Sequence, residues 1–158
     1  MSQNKEKNNE INLDLGYKTY SINGVDFYLN VSDLNFYNRF RDAYKFFEDI
    51  DKEYQERFSD NTDKPDEFGF IGGDNLPLMK EFDEKTKKKL NDVFGCGNDF
   101  NLIFKGVNCM SITTNGNNVL FNFLTAITPI IEKESNRRIE LSQKRIEKHT
   151  IKYQKKKG

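Results

Sequence analysis

The chain has 158 residues, 25 basic and 25 acidic side chains for a formal net charge of zero, 32% charged residues and 35% hydrophobic ones. That length suits one domain rather than two, and an apolar share below the usual level of about 45–50% allows only a modest core. Two cysteines exclude a disulfide framework, and the longest apolar patch, 119–131, is broken by Asn122, Thr125, Thr128 and Pro129 and excludes a membrane span.

Residues 1–15 are polar, carry no signal-peptide core and are expected to be disordered. Ile22-Asn23-Gly24-Val25 then carries the type I′ signal of a two-residue hairpin loop. It pairs Ile22 with Val25, Tyr20 with Phe27 and Lys18 with Leu29, so Ile22, Tyr20, Val25, Phe27, Leu29 and Val31 share one face. A lone hairpin is marginal in water, so this face must rest on another element. Asn30-Val31-Ser32 matches a glycosylation acceptor, discounted in a chain without a secretion signal.

Ser32 reads as a helix N-cap, with Val31 and Phe36 at staple positions. The helix is expected to run to about Phe58, with Phe36, Phe40, Ala43, Phe47, Ile50, Tyr54 and Phe58 as one apolar stripe. The stripe serves either the core or, as a bulky heptad seam, another helix or subunit; core is the commoner use. A flexible loop at 59–77 follows. Its Gly69-Phe70-Ile71-Gly72-Gly73 lacks phosphate-loop spacing, and Asp60, Asp63, Asp66, Glu67 and Asp74 lack the pattern of a calcium loop. Phe68, Phe70 and Ile71 either tuck onto the domain or offer a partner contact.

A second helix is expected from Leu78 to Phe94, with Met79, Phe82, Leu90, Val93 and Phe94 inward and Lys85, Lys87, Lys88 and Lys89 mainly in solvent. Residues 91–106 form two glycine-ended elements back to back, a helical corner burying Phe100, Ile103 and Phe104. A third helix begins near Asn117 and passes Tyr153. It is apolar to Ile131, and Pro129 should kink it or mark a junction. Beyond Glu134 its apolar residues thin to Ile139, Ile146 and Tyr153.

From Arg137 onward nine basic residues face two acids, leaving about +7, so the rest of the chain carries about −7, much of it between Glu48 and Glu84. Such polarity steers neighbouring copies head to tail or recruits a charged partner. The elements predict an α+β, mostly α fold: an N-terminal β-hairpin packed on a small helical bundle with a long C-terminal charged helix. The organisation expected is a disordered 1–15, one domain over 16–135 and a basic helical tail over 136–158.

No convergent set of acids, bases, nucleophiles or ligands is visible. The one histidine, His149, lies in the basic tail, and Cys96 and Cys109 lack zinc spacing. Cys96 between two glycines reads as an exposed thiol, and Cys109 as filler of a small core position. The reading is a soluble, intracellular non-enzyme that needs no cofactor and no metal.

The ordered set of Ile22–Phe27, the aromatic helix 34–58, Asn91-Asp92-Val93-Phe94-Gly95-Cys96-Gly97, Ile103-Phe104-Lys105-Gly106, the apolar helix 119–131 and a charged tail resembles small tail-assembly chaperones of tailed phages and prophages of Gram-positive bacteria. The resemblance spans about residues 17–150. The chain departs from it at Cys96, where an acid is usual, and in its longer loop 59–77. What the resemblance implies is a protein of the host bacterium's cytoplasm that binds the tape-measure protein and helps recruit tail-tube subunits. Phe123, Leu124, Ile127, Ile130 and Ile131 would then line an apolar face for the tape-measure helix or another copy, unless they are ordinary core. Arg137, Arg138, Lys144, Arg145 and Lys148 would meet an acidic partner. Related chaperones make a longer form by frameshifting, and Lys155-Lys156-Lys157 permits an A-rich slippery run, although lysine bias explains it too. Two other readings stay open: a structural tail component retained in the virion, such as a completion or connector protein, and nucleic-acid binding by the basic tail, where only Tyr153 is available for stacking.

Overall fold

The computed structural model describes residues 9–59, 67–69, 76–95 and 97–157. Its hairpin joins β1 (Lys18–Ile22) to β2 (Val25–Leu29) in the register the turn dictates, from Lys18↔Leu29 to Ile22↔Val25. Asn23 and Gly24 both lie in the left-handed region, φ 50° and 84°, as a type I′ turn requires. Phe27, Leu29 and Val31 are buried, and Tyr20, Ile22 and Val25 pack half-buried beside them.

The first long helix, α1 (Leu34–Ser59), starts one residue later than a Ser32 cap predicts. Asp33 takes the capping position, its Oδ1 accepting from Asn35 N at 2.9 Å, while the Ser32 N–H is spent on Asn30 Oδ1. Phe36, Ala43, Phe47 and Ile50 are buried and Phe40 and Tyr54 pack against them, so the α1 stripe faces the core. The Phe58 side chain, Phe70, Ile71 and Cys96 lie outside the described residues, as does most of the 59–77 loop; Phe68 is exposed.

The second helix, α2 (Leu76–Phe94), opens two residues early, with Pro77 in the first turn, where its missing N–H costs nothing. Lys87 corrects the expectation of a solvated lysine. It is 7% exposed, and its Nζ donates to Asp83 Oδ2 at 2.9 Å and to Asn101 Oδ1 at 3.0 Å. A buried ammonium is tolerated because it meets a carboxylate one turn back and a polar side chain from the corner.

Gly95 closes α2 with φ 54° and an N–H donated to Asn91 O at 2.8 Å. Asp99 caps the one-turn helix α3 (Phe100–Ile103), and Lys105 and Gly106 end it with two consecutive left-handed residues. Asn98, between the two, docks the hairpin. In this ladder the outward-pointing groups of β2 include those of Tyr28. Asn98 Oδ1 accepts from Tyr28 N at 2.9 Å, and its Nδ2 donates to Tyr28 O at 2.8 Å. The amide stands where a third strand would pair.

The core gathers where four elements converge. Phe27 of β2, Phe94 of α2, Phe100 of α3 and Phe123 of the last helix all contact one another, with ring centroids 5.2–6.1 Å apart. Most pairs are edge-on, the arrangement aromatic quadrupoles favour. That last helix, α4 (Val119–Lys157), runs unbroken for 39 residues through Pro129. Of the two outcomes expected at Pro129, a kink or a junction, the junction is absent. Thr125 and Pro129 are both exposed, so water reaches the carbonyl that the missing proline N–H leaves unmatched.

Candidate partner-binding grooves beside α4

The start of α4 is tightly fixed. Asn118 caps it, Oδ1 accepting from Phe121 N at 2.7 Å, and the same side chain donates from Nδ2 to Asp51 Oδ1 of α1 at 2.9 Å. The preceding loop is pinned to α2: Asn108 Nδ2 donates to Met79 O at 3.1 Å and Cys109 N to Asp83 Oδ1 at 2.8 Å. Thr113 N donates to Asn117 O at 2.9 Å, closing a small bridge between Ile112 and Asn118 that the sequence did not announce.

Further along, Lys18 Nζ meets Glu134 Oε1 at 2.8 Å. The hydrogen bond from Lys18 holds the Glu134 carboxyl below its ordinary value, and the same bond raises Lys18. Lys18 shares the face of β1 that carries Tyr20 and Ile22, so this pair clamps the hairpin along α4.

Between these fixed points α4 is flanked by two grooves. The first, about 560 Å³, lies between α4 and the β1 side of the hairpin. Phe27, Ile103, Phe104, Phe123 and Ile127 line its floor, and the less buried Tyr20, Ile22, Val119, Ala126 and Ile130 line its walls. Lys105 is its one charged lining residue among those described. The second, about 790 Å³, lies between α4 and α1; Phe121, Leu124 and Tyr44 are rimmed by Glu48, Asp51, Lys52 and Glu132.

The five apolar residues expected to make one face are thus divided. Phe123, Ile127 and Ile131 are buried, with relative exposures of 7%, 3% and 7%. Phe123 and Ile127 reach the first groove only as floor, Ile130 forms part of its wall, and Leu124 turns to the second groove. Sequence reasoning missed Tyr20, Ile22, Val119 and Ala126. The first two belong to the predicted core face, and nothing in a period-2 pattern tells that each is left half-buried. Ala126 passes unnoticed because a small residue signals nothing by itself, yet it is what leaves the wall open.

The basic set sits apart from both grooves. Arg138 is half-buried and donates from Nη2 to Gly16 O at 3.3 Å, while Arg137, Lys144, Arg145 and Lys148 are exposed. Lys144, Arg145 and Lys148 share one side of the helix with Leu141 and Lys152. Ile139, Leu141, Ile146 and Ile151 are all more than half exposed there.

Reactive groups lie elsewhere. Burial beside the Asp83 carboxylate pushes the Cys109 thiol far above its ordinary range, leaving it a poor nucleophile. Among the described residues no group of His, Cys, Asp and Glu is spaced to hold a metal, and no helix is long and apolar enough to cross a membrane. Compared with protein-family models, curated proteins and solved structures, the chain matches none.

Proposed function

We propose that the chain is a non-enzymatic tail-assembly chaperone of a phage or prophage. Its hairpin–α4 groove holds an apolar segment of the tape-measure protein, and its basic tail recruits an acidic surface of the tail-tube subunit. The observation that carries this reading is the first groove, mainly apolar with Ser21, Asn23, Thr113 and Asn122 as its uncharged polar lining, open to solvent and, among the described residues, carrying charge only at Lys105. Such a surface suits helix-in-groove recognition, in which apolar anchors at successive turns of a partner helix are held without a deep pocket. A tape-measure protein, as the family resemblance implies, is a long apolar helical chain in need of such cover until the tube encloses it. The exposed basic stretch of α4 adds charge steering rather than area.

Ala126→Arg tests the reading. Ala126 is exposed on the groove wall, so the substitution fills the groove without disturbing the core. Co-expressed with the tape-measure protein, the wild-type chain keeps it in the soluble fraction and the variant does not, while both give the same circular dichroism. Equal solubilisation by the folded variant rejects the groove. Finished virions should lack the chain; its presence there by mass spectrometry favours a structural tail component instead.

A further inference from the structure

The segment before β1 repeats an apolar residue at every second position: Ile11, Leu13 and Leu15, between Glu10, Asn12 and Asp14. That is the pattern of a strand with one buried face. Yet the three side chains are 84%, 73% and 64% exposed, and the segment belongs to no strand. Among the described residues nothing covers that face.

The first groove offers what this arm lacks. The sheet has two strands. Asn98 closes the outer edge of β2, but the outward groups of β1, at the exposed Thr19 and Ser21, face no third strand among the described residues, and Ser21 borders the groove. A strand added there gains backbone hydrogen bonds from β1 and sets alternate side chains into the groove. Charge selects the same groove. The arm carries Glu10 and Asp14; among the described residues the first groove contributes only the positive Lys105, whereas the second is rimmed by Glu48, Asp51 and Glu132 against one Lys52.

The arm is anchored away from its own groove. Leu15 O accepts from Asn30 Nδ2 at 2.7 Å and Gly16 O from Arg138 at 3.3 Å, at the end of β1 opposite the turn. Gly16 is wedged at φ 91°, where a Cβ would lie 2.9 Å from Ser32 Oγ. Reversing the chain at Gly16 to run back along β1 would break these contacts. We infer that the Glu10–Leu15 arm of one copy adds to β1 of a second copy and fills its groove, linking copies head to tail and occupying the client site until a client displaces it. The displacement clause rests on the function proposed above; the arm–groove contact does not.

The test uses full-length Leu13→Asp, which spoils the arm at an exposed position, and Ala126→Arg, which blocks the groove. Sedimentation should show wild-type mass rising above 18.6 kDa with concentration. Each variant should associate more weakly by roughly thirtyfold or more, the scale of a lost hot-spot anchor. Mixed, the two variants retain one good groove and one good arm, so they should pair and stop at two copies. A wild-type chain that stays monomeric at millimolar concentration overturns the inference. So does a mixture that fails to pair, or an association that survives in both variants and vanishes with salt, which assigns the contact to the basic tail. Client binding is read separately: Leu13→Asp should hold a tape-measure segment at least as tightly as wild type. Pairing without any client binding leaves the arm–groove contact standing and rejects the chaperone reading.

Discussion

Replacing Asn98 by alanine isolates the joint between the hairpin and the helical body. Asn98 is 8% exposed, and its amide makes two hydrogen bonds to Tyr28, at 2.9 and 2.8 Å, plus a longer one to Phe94 O. Each short bond contributes about 1 kcal/mol net, and stranding a part-buried backbone N–H and C=O adds a penalty of similar size, so Asn98→Ala should cost about 2–4 kcal/mol. For a domain of this length that lowers Tm by roughly 5–12 °C. Asn98→Asp is sharper because it keeps the shape. Its carboxylate still accepts from Tyr28 N but faces the Tyr28 carbonyl where an N–H is required. The ionised form is disfavoured, so the folded-state pKa of this aspartate rises above its unfolded value. A raised carboxyl pKa means the folded state holds the proton more tightly, so the variant's deficit should shrink as pH falls through that range. Urea unfolding followed by far-UV circular dichroism from pH 4 to 7, with amide exchange at Tyr28, reads both effects. A cost within about 0.5 kcal/mol for the alanine variant, the range of an ordinary surface change, would refute the idea that Asn98 serves as a third strand.

Lys18→Met removes the partner that lowers the Glu134 pKa from its ordinary value of 4.5. A lowered carboxyl pKa gives stability that is present above the unfolded value and lost as pH falls through the folded one. The variant should therefore lose less stability than wild type on acidification below pH 4.5 in a titrated melt; parallel curves would reject the coupling. Thr86 is fully buried on α2 with an Oγ1 that finds no partner among the described residues, so the isosteric Thr86→Val should stabilise the fold by about 1 kcal/mol in urea, and destabilisation would mean that the hydroxyl is bonded after all.

The hairpin was legible to the residue because its register depends on two turn residues and a period of two, both local. The helices were legible in type because their stripes are long, while their first residues slipped. Ser32 and Asp33 are both good caps, and the choice between them depends on where Asn30 turns the chain. Lys87 was misplaced for a different reason. A helical wheel sorts residues by character, and the pairing that buries Lys87 joins Asp83 four residues earlier to Asn101 in the corner. The spacing of Asp83 and Lys87 was available; the third partner was not. The grooves were least legible of all. An apolar run specifies how much surface can be covered, and only the packing of Tyr20, Ile22 and Ala126 decides where cover stops.

The inward line of α4 shows where the body ends. Phe123, Ile127, Ile131, Glu134 and Arg138 follow one another at steps of three and four, the first three buried in the core, Glu134 closed by Lys18 and Arg138 by Gly16. The same line continues as Leu141, Arg145, His149 and Lys152, all exposed. Apolar character gives way to positive charge at the point where the hairpin stops supporting the helix. From Ile139 to Lys157 the helix extends about 28 Å at 1.5 Å per residue. A stretch that long whose described side chains are all exposed holds marginally in water, because most helical stability in proteins comes from a buried face. What would cover Leu141 and Arg145 must then present both an apolar contact and negative charge. Under the function proposed above, a tape-measure helix in the groove would not supply that from the far side of Arg138, so the groove and the tail would be two separable contacts on one helix. Neutralising Arg145 and Lys148 together as glutamine should weaken recruitment of an acidic partner while leaving client binding by the groove unchanged, and loss of both activities at once in a folded variant would show that they are one site.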